Sequence, residues 1–144
     1  NNGLYTPLSL RKGLFNESKR VISEDTSKTL LSMLEKVVED GTSKKAAVEG
    51  YRVGGKSGTA WKTSGAGGYS TDRYRSIFAG IAPIDDPRLV AVVFIEEPTG
   101  EFYYGGDVAA PVFSEIISQS LQLLSIPPQG FITKSDLVAD NKND

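Results

Sequence analysis

The 144-residue chain contains no cysteine and no histidine. Without cysteine it can build neither a disulfide framework nor a thiolate metal site, which is compatible with an oxidising compartment without demanding one. Without histidine, Ser-His-Asp catalysis and imidazole ligation are excluded within this chain. Long apolar runs are missing too. The longest, Leu89 to Ile95, falls far short of a membrane span. No basic-then-apolar leader stands at the start, and Asn1-Asn2-Gly3 reads as an internal loop. No basic cluster interleaved with aromatics occurs, and a formal net charge of -2 argues against nucleic acid as a partner. What remains is ordinary for a soluble globular domain: 39% hydrophobic and 24% charged residues, in a chain long enough for one real core.

The apolar pattern divides the chain into a few elements. Residues 4 to 22 hold short apolar pieces around Pro7 and Gly13 and read as extended. Ser23-Glu24-Asp25 is a helix start, a hydroxyl cap followed by acids that suit the positive end of the helix dipole. Leu30, Leu31, Leu34, Val37 and Val38 continue it as a stripe at helical spacing, and Gly41 supplies the stop. A strand is expected around Lys56, then a glycine-rich loop over residues 62–73 beside the cleft. A strand over 74–84 follows, then a tight turn at Pro83-Ile84-Asp85-Asp86-Pro87 and a strand over 88–96. Being apolar on both faces, that last strand should be central and covered on each side. The short turns imply antiparallel neighbours. Asp107 is the expected cap of a final helix, with Pro111 in its first turn and Val112, Phe113, Ile116, Ile117, Leu121 and Leu124 on its apolar face. Pro127-Pro128 ends it. Residues 1–127 thus form one unit and 128–144 a polar, poorly ordered tail.

Lys56-Ser57-Gly58-Thr59-Ala60 concentrates a cation, two hydroxyls and a side-chain-free position in four consecutive residues. On a strand at the lip of a cleft, Ser57 and Thr59 share one face. Lys56 brings positive charge to the same groove, and Gly58 lets a second element approach the backbone. Together they make a receptor for a carboxylate.

Lys-Ser/Thr-Gly is the third signature of the penicillin-binding proteins and serine β-lactamases. Three stretches stand here in a matching order: Gly50 to Ala60, Tyr74 to Pro83 and Tyr104 to Phe113. In that order the chain resembles the C-terminal part of a class B penicillin-binding protein, closest to the cell-division transpeptidase type, over about residues 2 to 127. The resemblance implies an α/β fold of the α+β type, with a central antiparallel sheet flanked by helices, incomplete in this chain. It implies a peptidoglycan D,D-transpeptidase that crosslinks stem peptides through a serine acyl-enzyme and is acylated by β-lactams. It implies no cofactor and no metal. Lys56 and Thr59 would be catalytic, Thr59 through its backbone N–H as half of the oxyanion hole. Ser57, Gly58 and Thr59 would bind the substrate carboxylate, and Tyr74, Tyr103 and Tyr104 would wall the groove. Partners would be the upstream half of the domain and other division proteins, with the site in the periplasm and a membrane anchor and pedestal domain upstream. The Tyr104 to Phe113 stretch resembles the synthetic enzymes more than the β-lactamases.

Two of the family's motifs are not in evidence. No Ser-x-Asn occurs anywhere. The one Ser-x-x-Lys, Ser9-Leu10-Arg11-Lys12, lies between Pro7 and Gly13, which suits a turn rather than a helix start. It also sits too close to Lys56 to leave room for a middle motif, so the nucleophile is expected outside this chain. Two other readings stay open. The chain can belong to a penicillin sensor or binding module without turnover. Gly50-x-x-x-x-Gly55-Lys56-Ser57 also matches a phosphate-binding loop, although no helical pattern follows it. Tyr103 and Tyr104 can equally staple their loop to the core, and the carboxylate pairs Glu96-Glu97 and Asp85-Asp86 read as solvated loop charge.

Overall fold

A computed structural model describes residues 1–11, 17–63 and 67–128. Lys12, Gly65 and Ala66 of the glycine-rich loop, and the tail from residue 129, lie outside these residues. A small antiparallel pair, β1 (Leu4–Tyr5) and β2 (Lys19–Arg20), precedes helix α1 (Glu24–Glu39). Ser23 caps α1 as its sequence suggests, its hydroxyl accepting from the Thr26 amide at 3.1 Å. A short 3-10 turn (Lys44–Ala46) leads to β3 (Gly54–Thr63), β4 (Tyr69–Ala82), β5 (Leu89–Glu96) and helix α2 (Gly105–Leu123).

The three long strands form one antiparallel sheet in the order β3-β4-β5. Pairing of Ser57 with Phe78 and Phe78 with Val93 sets one face, against which α2 packs. Phe78, Phe113, Ile117 and Leu121 are fully buried there, and the Phe78 and Phe113 rings meet edge-on at 4.8 Å. Burying each of these side chains stabilises the fold by roughly 1.5–3 kcal/mol. Helix α1 lies on the other face, over the start of β3, where a Cβ on Gly54 would stand 2.9 Å from the Glu35 amide nitrogen. Arg52 fastens α1 there. It grips the buried Glu35 carboxylate with two bonds of 2.6 Å and reaches Asp85 in the β4–β5 turn. Those contacts, Glu35 foremost, hold its guanidinium well above the usual value, permanently charged.

Three expectations need correction. Strand β5 is not central: β4 is, and β5 is an edge among the described residues. Its residues Val90, Val92 and Phe94, 52–73% exposed, lie on the face that α2 does not cover. The double-sided apolar pattern is real, but the cover for its second side is not among the described residues. The expected loop over 62–73 is shorter, because β3 runs to Thr63 and β4 starts at Tyr69. Trp61 meets Tyr69 and Tyr74 edge-on at 6.4 and 6.3 Å, and these contacts extend the hairpin. Helix α2 begins two residues before Asp107, so Pro111 falls inside it rather than in its first turn. No helix of the described residues is long and apolar enough to cross a membrane.

Candidate functional site

Strand β3 is the other edge of the sheet, and its free side borders a groove of about 550 Å³. Thr42, Lys56, Ser57, Gly58 and Thr59 line one wall, and Tyr104, Gly105, Gly106 and Asp107 the other. Ser57 and Thr59 stand on the α2 face of the sheet, as their spacing requires. Lys56 starts from the opposite face, in the row of Ala79 and Val92. Its ammonium curls round the free edge and donates to the Ser57 carbonyl at 2.7 Å. Among the described residues no carboxylate stands within ion-pair distance of it. The groove therefore carries a cation with no carboxylate partner among the described residues, beside two hydroxyls.

The far wall is built by close backbone approach. A Cβ on Gly105 would collide with the carbonyls of Ile77 and Gly58, and one on Gly106 with that of Thr42. Glycine at 105 lets the start of α2 settle onto β3 and β4, and glycine at 106 lets it settle onto the turn after α1. The approach expected at Gly58 is made by Gly105 instead: a Cβ on Gly58 would meet nothing nearer than Ile77 at 3.9 Å. Ser76 ties the same turn down by donating to the Tyr103 carbonyl. The Gly105 amide donates to the Thr59 hydroxyl at 3.0 Å. Lys45 pairs with Asp107 at 2.8 Å, its ammonium 5.3 Å from the Phe102 ring, so the acid in the groove is already compensated.

Of the three tyrosines, only Tyr104 lines the groove. Tyr103 packs beside it, ring centres 4.5 Å apart, and its hydroxyl donates to that of Tyr104 at 3.2 Å. Tyr74, in strand β4, stacks behind Tyr103 at 4.0 Å. Trp61 extends the row beyond Tyr74.

Sequence reading did not single out Thr42. Its hydroxyl lies 3.5 Å from that of Ser57, at the edge of hydrogen-bond distance, and adds a third alcohol to the groove. No local signal marks it, because the residue follows a helix with no chemistry of its own. Ser9 lies in irregular backbone, with its hydroxyl turned to Arg11, and Lys12 is outside the described residues. The phosphate-loop reading fails on topology. Lys56 and Ser57 sit within a ten-residue strand that turns into another strand, whereas a phosphate loop must open directly into its own helix.

The groove thus sets an edge strand bearing an ammonium and two alcohols against a glycine-seated helix start, in an α+β domain. Residues 1–118 match the family model of the penicillin binding protein transpeptidase domain, and the chain belongs to that family. It is 44% identical over 145 residues to a probable peptidoglycan D,D-transpeptidase, PbpC, of Pseudomonas aeruginosa, covering 99% of this chain and 25% of that protein. It is 48% identical over 111 residues to stage V sporulation protein D of Bacillus subtilis, covering 77% of this chain and 17% of that one. Among solved structures, the apo transpeptidase domain of Burkholderia pseudomallei penicillin-binding protein 3 superposes with a TM-score of 0.77 at 44% identity. The match covers 88% of this chain and 39% of that domain. The chain thus spans a quarter or less of the length of these two relatives, and the solved Burkholderia chain extends well beyond it.

Proposed function

We propose that this chain is the substrate-carboxylate half of a peptidoglycan D,D-transpeptidase whose nucleophilic serine lies outside it. The observation that carries this reading is the convergence of Lys56, Ser57 and Thr59 on the free edge of β3, across the groove from Gly105 and Gly106. A stem peptide ending in D-Ala-D-Ala would lie along that edge with its carboxylate between the Ser57 and Thr59 hydroxyls. Hydrogen bonds from neutral donors to a charged acceptor are worth about 1.5–3 kcal/mol each. A carboxylate about 4 Å from the Lys56 ammonium gains on the order of 4 kcal/mol at the effective dielectric of a protein surface, before desolvation.

The serine oxygen would attack the penultimate D-Ala carbonyl carbon, and the C–N bond to the terminal D-Ala would break as that amine takes up a proton. An amine from a neighbouring stem peptide would then displace the serine and complete the crosslink. A β-lactam, carrying its own carboxylate, would enter the same groove and acylate the same serine. The Ser57 carbonyl turns outward to Lys56, and on a strand the alternate residue Thr59 presents its N–H to the same side. That amide would be one of the two oxyanion donors, worth about 3–4 kcal/mol in the transition state. Tyr104, backed by Tyr103 and Tyr74, would contact the peptide or the β-lactam side chain.

The same reading assigns Val90, Val92 and Phe94 to contact with the rest of the transpeptidase domain. It places the intact protein on the periplasmic side of the inner membrane, among the proteins of cell division. The test is intact-protein mass spectrometry of the full-length protein with benzylpenicillin, together with a crosslinking assay on stem peptides. A stoichiometric mass increase of one penicillin and crosslinked product are expected. No adduct would refute the reading, and an adduct without any crosslinked product would move it to a penicillin sensor.

A further inference from the structure

The hydroxyl of Thr59 has one hydrogen to give and two lone pairs to receive. In this structure one lone pair is taken by the amide of Gly105, the first residue of α2, at 3.0 Å. The hydroxyl hydrogen cannot point back at the amide that donates to it, so it is turned away from Gly105, and Thr59 lies on the groove wall. The Gly105 amide is itself held firmly. Its residue is buried, seated against the Ile77 and Gly58 carbonyls with no room for a Cβ, and the preceding turn is pinned by Ser76 donating to Tyr103.

We infer that the Gly105 backbone amide is a positioning group for the transpeptidase site, fixing the Thr59 side chain as a donor towards the ligand carboxylate. This rests on the proposed function and goes one step past it. It explains why a glycine turn, and not a side chain, stands opposite the β3 hydroxyls. The hydroxyl hydrogen is thereby left for an acceptor in the groove, and a carboxylate is its complement. The start of α2 and the ligand-binding alcohol are thereby one mechanical unit.

Gly105→Ala is the obvious variant, but its Cβ has no space and can unseat the turn. The decisive variant replaces residue 105 of the full-length protein with glycolate, which turns the amide N–H into an ester oxygen and leaves the shape unchanged. It is made alone and combined with Thr59→Val, which has no hydroxyl to position. The readout is the second-order rate of acylation by benzylpenicillin. The ester should slow acylation roughly three- to tenfold in the parent, the range of one hydrogen bond. In the Thr59→Val background it should change the rate less than twofold, because the two changes remove one interaction. Equal slowing in both backgrounds, or none in the parent, would overturn the assignment. If the unmodified protein forms no penicillin adduct, the transpeptidase reading itself falls. An acylated protein without coupling removes the role of Gly105 alone.

Discussion

The hydroxyls of Thr42 and Ser57 lie 3.5 Å apart although 15 positions separate them in the chain. Thr42 belongs to the turn after α1, and α1 is held over β3 by Arg52 and the buried Glu35, so a half-exposed ion pair on one side of the sheet helps set an alcohol in the groove on the other. If Thr42 helps hold Ser57 for the ligand, Thr42→Ala in the full-length protein should slow acylation by benzylpenicillin a few-fold, and Thr42→Ser should restore it. Equal rates for all three would leave Thr42 as wall only.

The tyrosine row predicts a graded response. Tyr104 meets the groove directly, whereas Tyr103 and Tyr74 reach it only through stacking. Tyr104→Ala should change the ranking of β-lactams with different side chains, read as acylation rates across a small panel. Tyr74→Ala should cost thermal stability with the ranking unchanged. A ranking that shifts with Tyr74 and not with Tyr104 would reverse the assignment.

How far these features were legible depends on how local their causes are. Ser23 and its following acids mark the start of α1 because a cap acts within one turn. The β3 hydroxyls could be placed on one face because strand alternation is strict. Thr42, the Arg52–Glu35–Asp85 cluster and the true start of α2 could not be read this way. Each is fixed by a partner distant in sequence, for instance Gly105 by the Gly58 and Ile77 carbonyls. Likewise Glu96 and Glu97 read as loop charge, yet they pair across the sheet with Lys62, Arg73 and Arg75, because the register of β3, β4 and β5 brings those cations beside them. Asp85 read the same way and instead receives Arg52.

That cluster carries a pH signature. Lys62, first by its hydrogen bond, holds the Glu96 carboxyl below its ordinary value of 4.5. A group with a depressed folded pKa stabilises the fold above the unfolded value and loses that contribution as pH falls through the folded one. Lys62 is raised in turn, above 10.5, by Glu96 and then Glu97, so its share is lost only as pH rises through that range. Lys62→Gln in the full-length protein should therefore lower the melting temperature modestly at pH 7. The gap from the parent should close as pH falls below about 4. A gap that widens on acidification would contradict the pairing.

The open face of the sheet gives a stability prediction. Phe94 is 52% exposed in this chain, and an exposed substitution usually changes stability by less than about 0.5 kcal/mol. If the rest of the domain covers that face, Phe94→Ala in the full-length protein should cost about 3 kcal/mol or more, the range for a buried phenylalanine. Chemical denaturation of the intact transpeptidase domain measures it. A loss within the exposed range would leave the face open to solvent.

Most direct of all is the acylation rate of the full-length Lys56→Ala protein with a fluorescent penicillin. The account predicts a fall of at least a hundredfold with the circular dichroism spectrum preserved, since the ammonium at the β3 edge would serve ligand and chemistry rather than the fold. Acylation within a few-fold of the parent would contradict it and remove the anion-receiving groove as the working site.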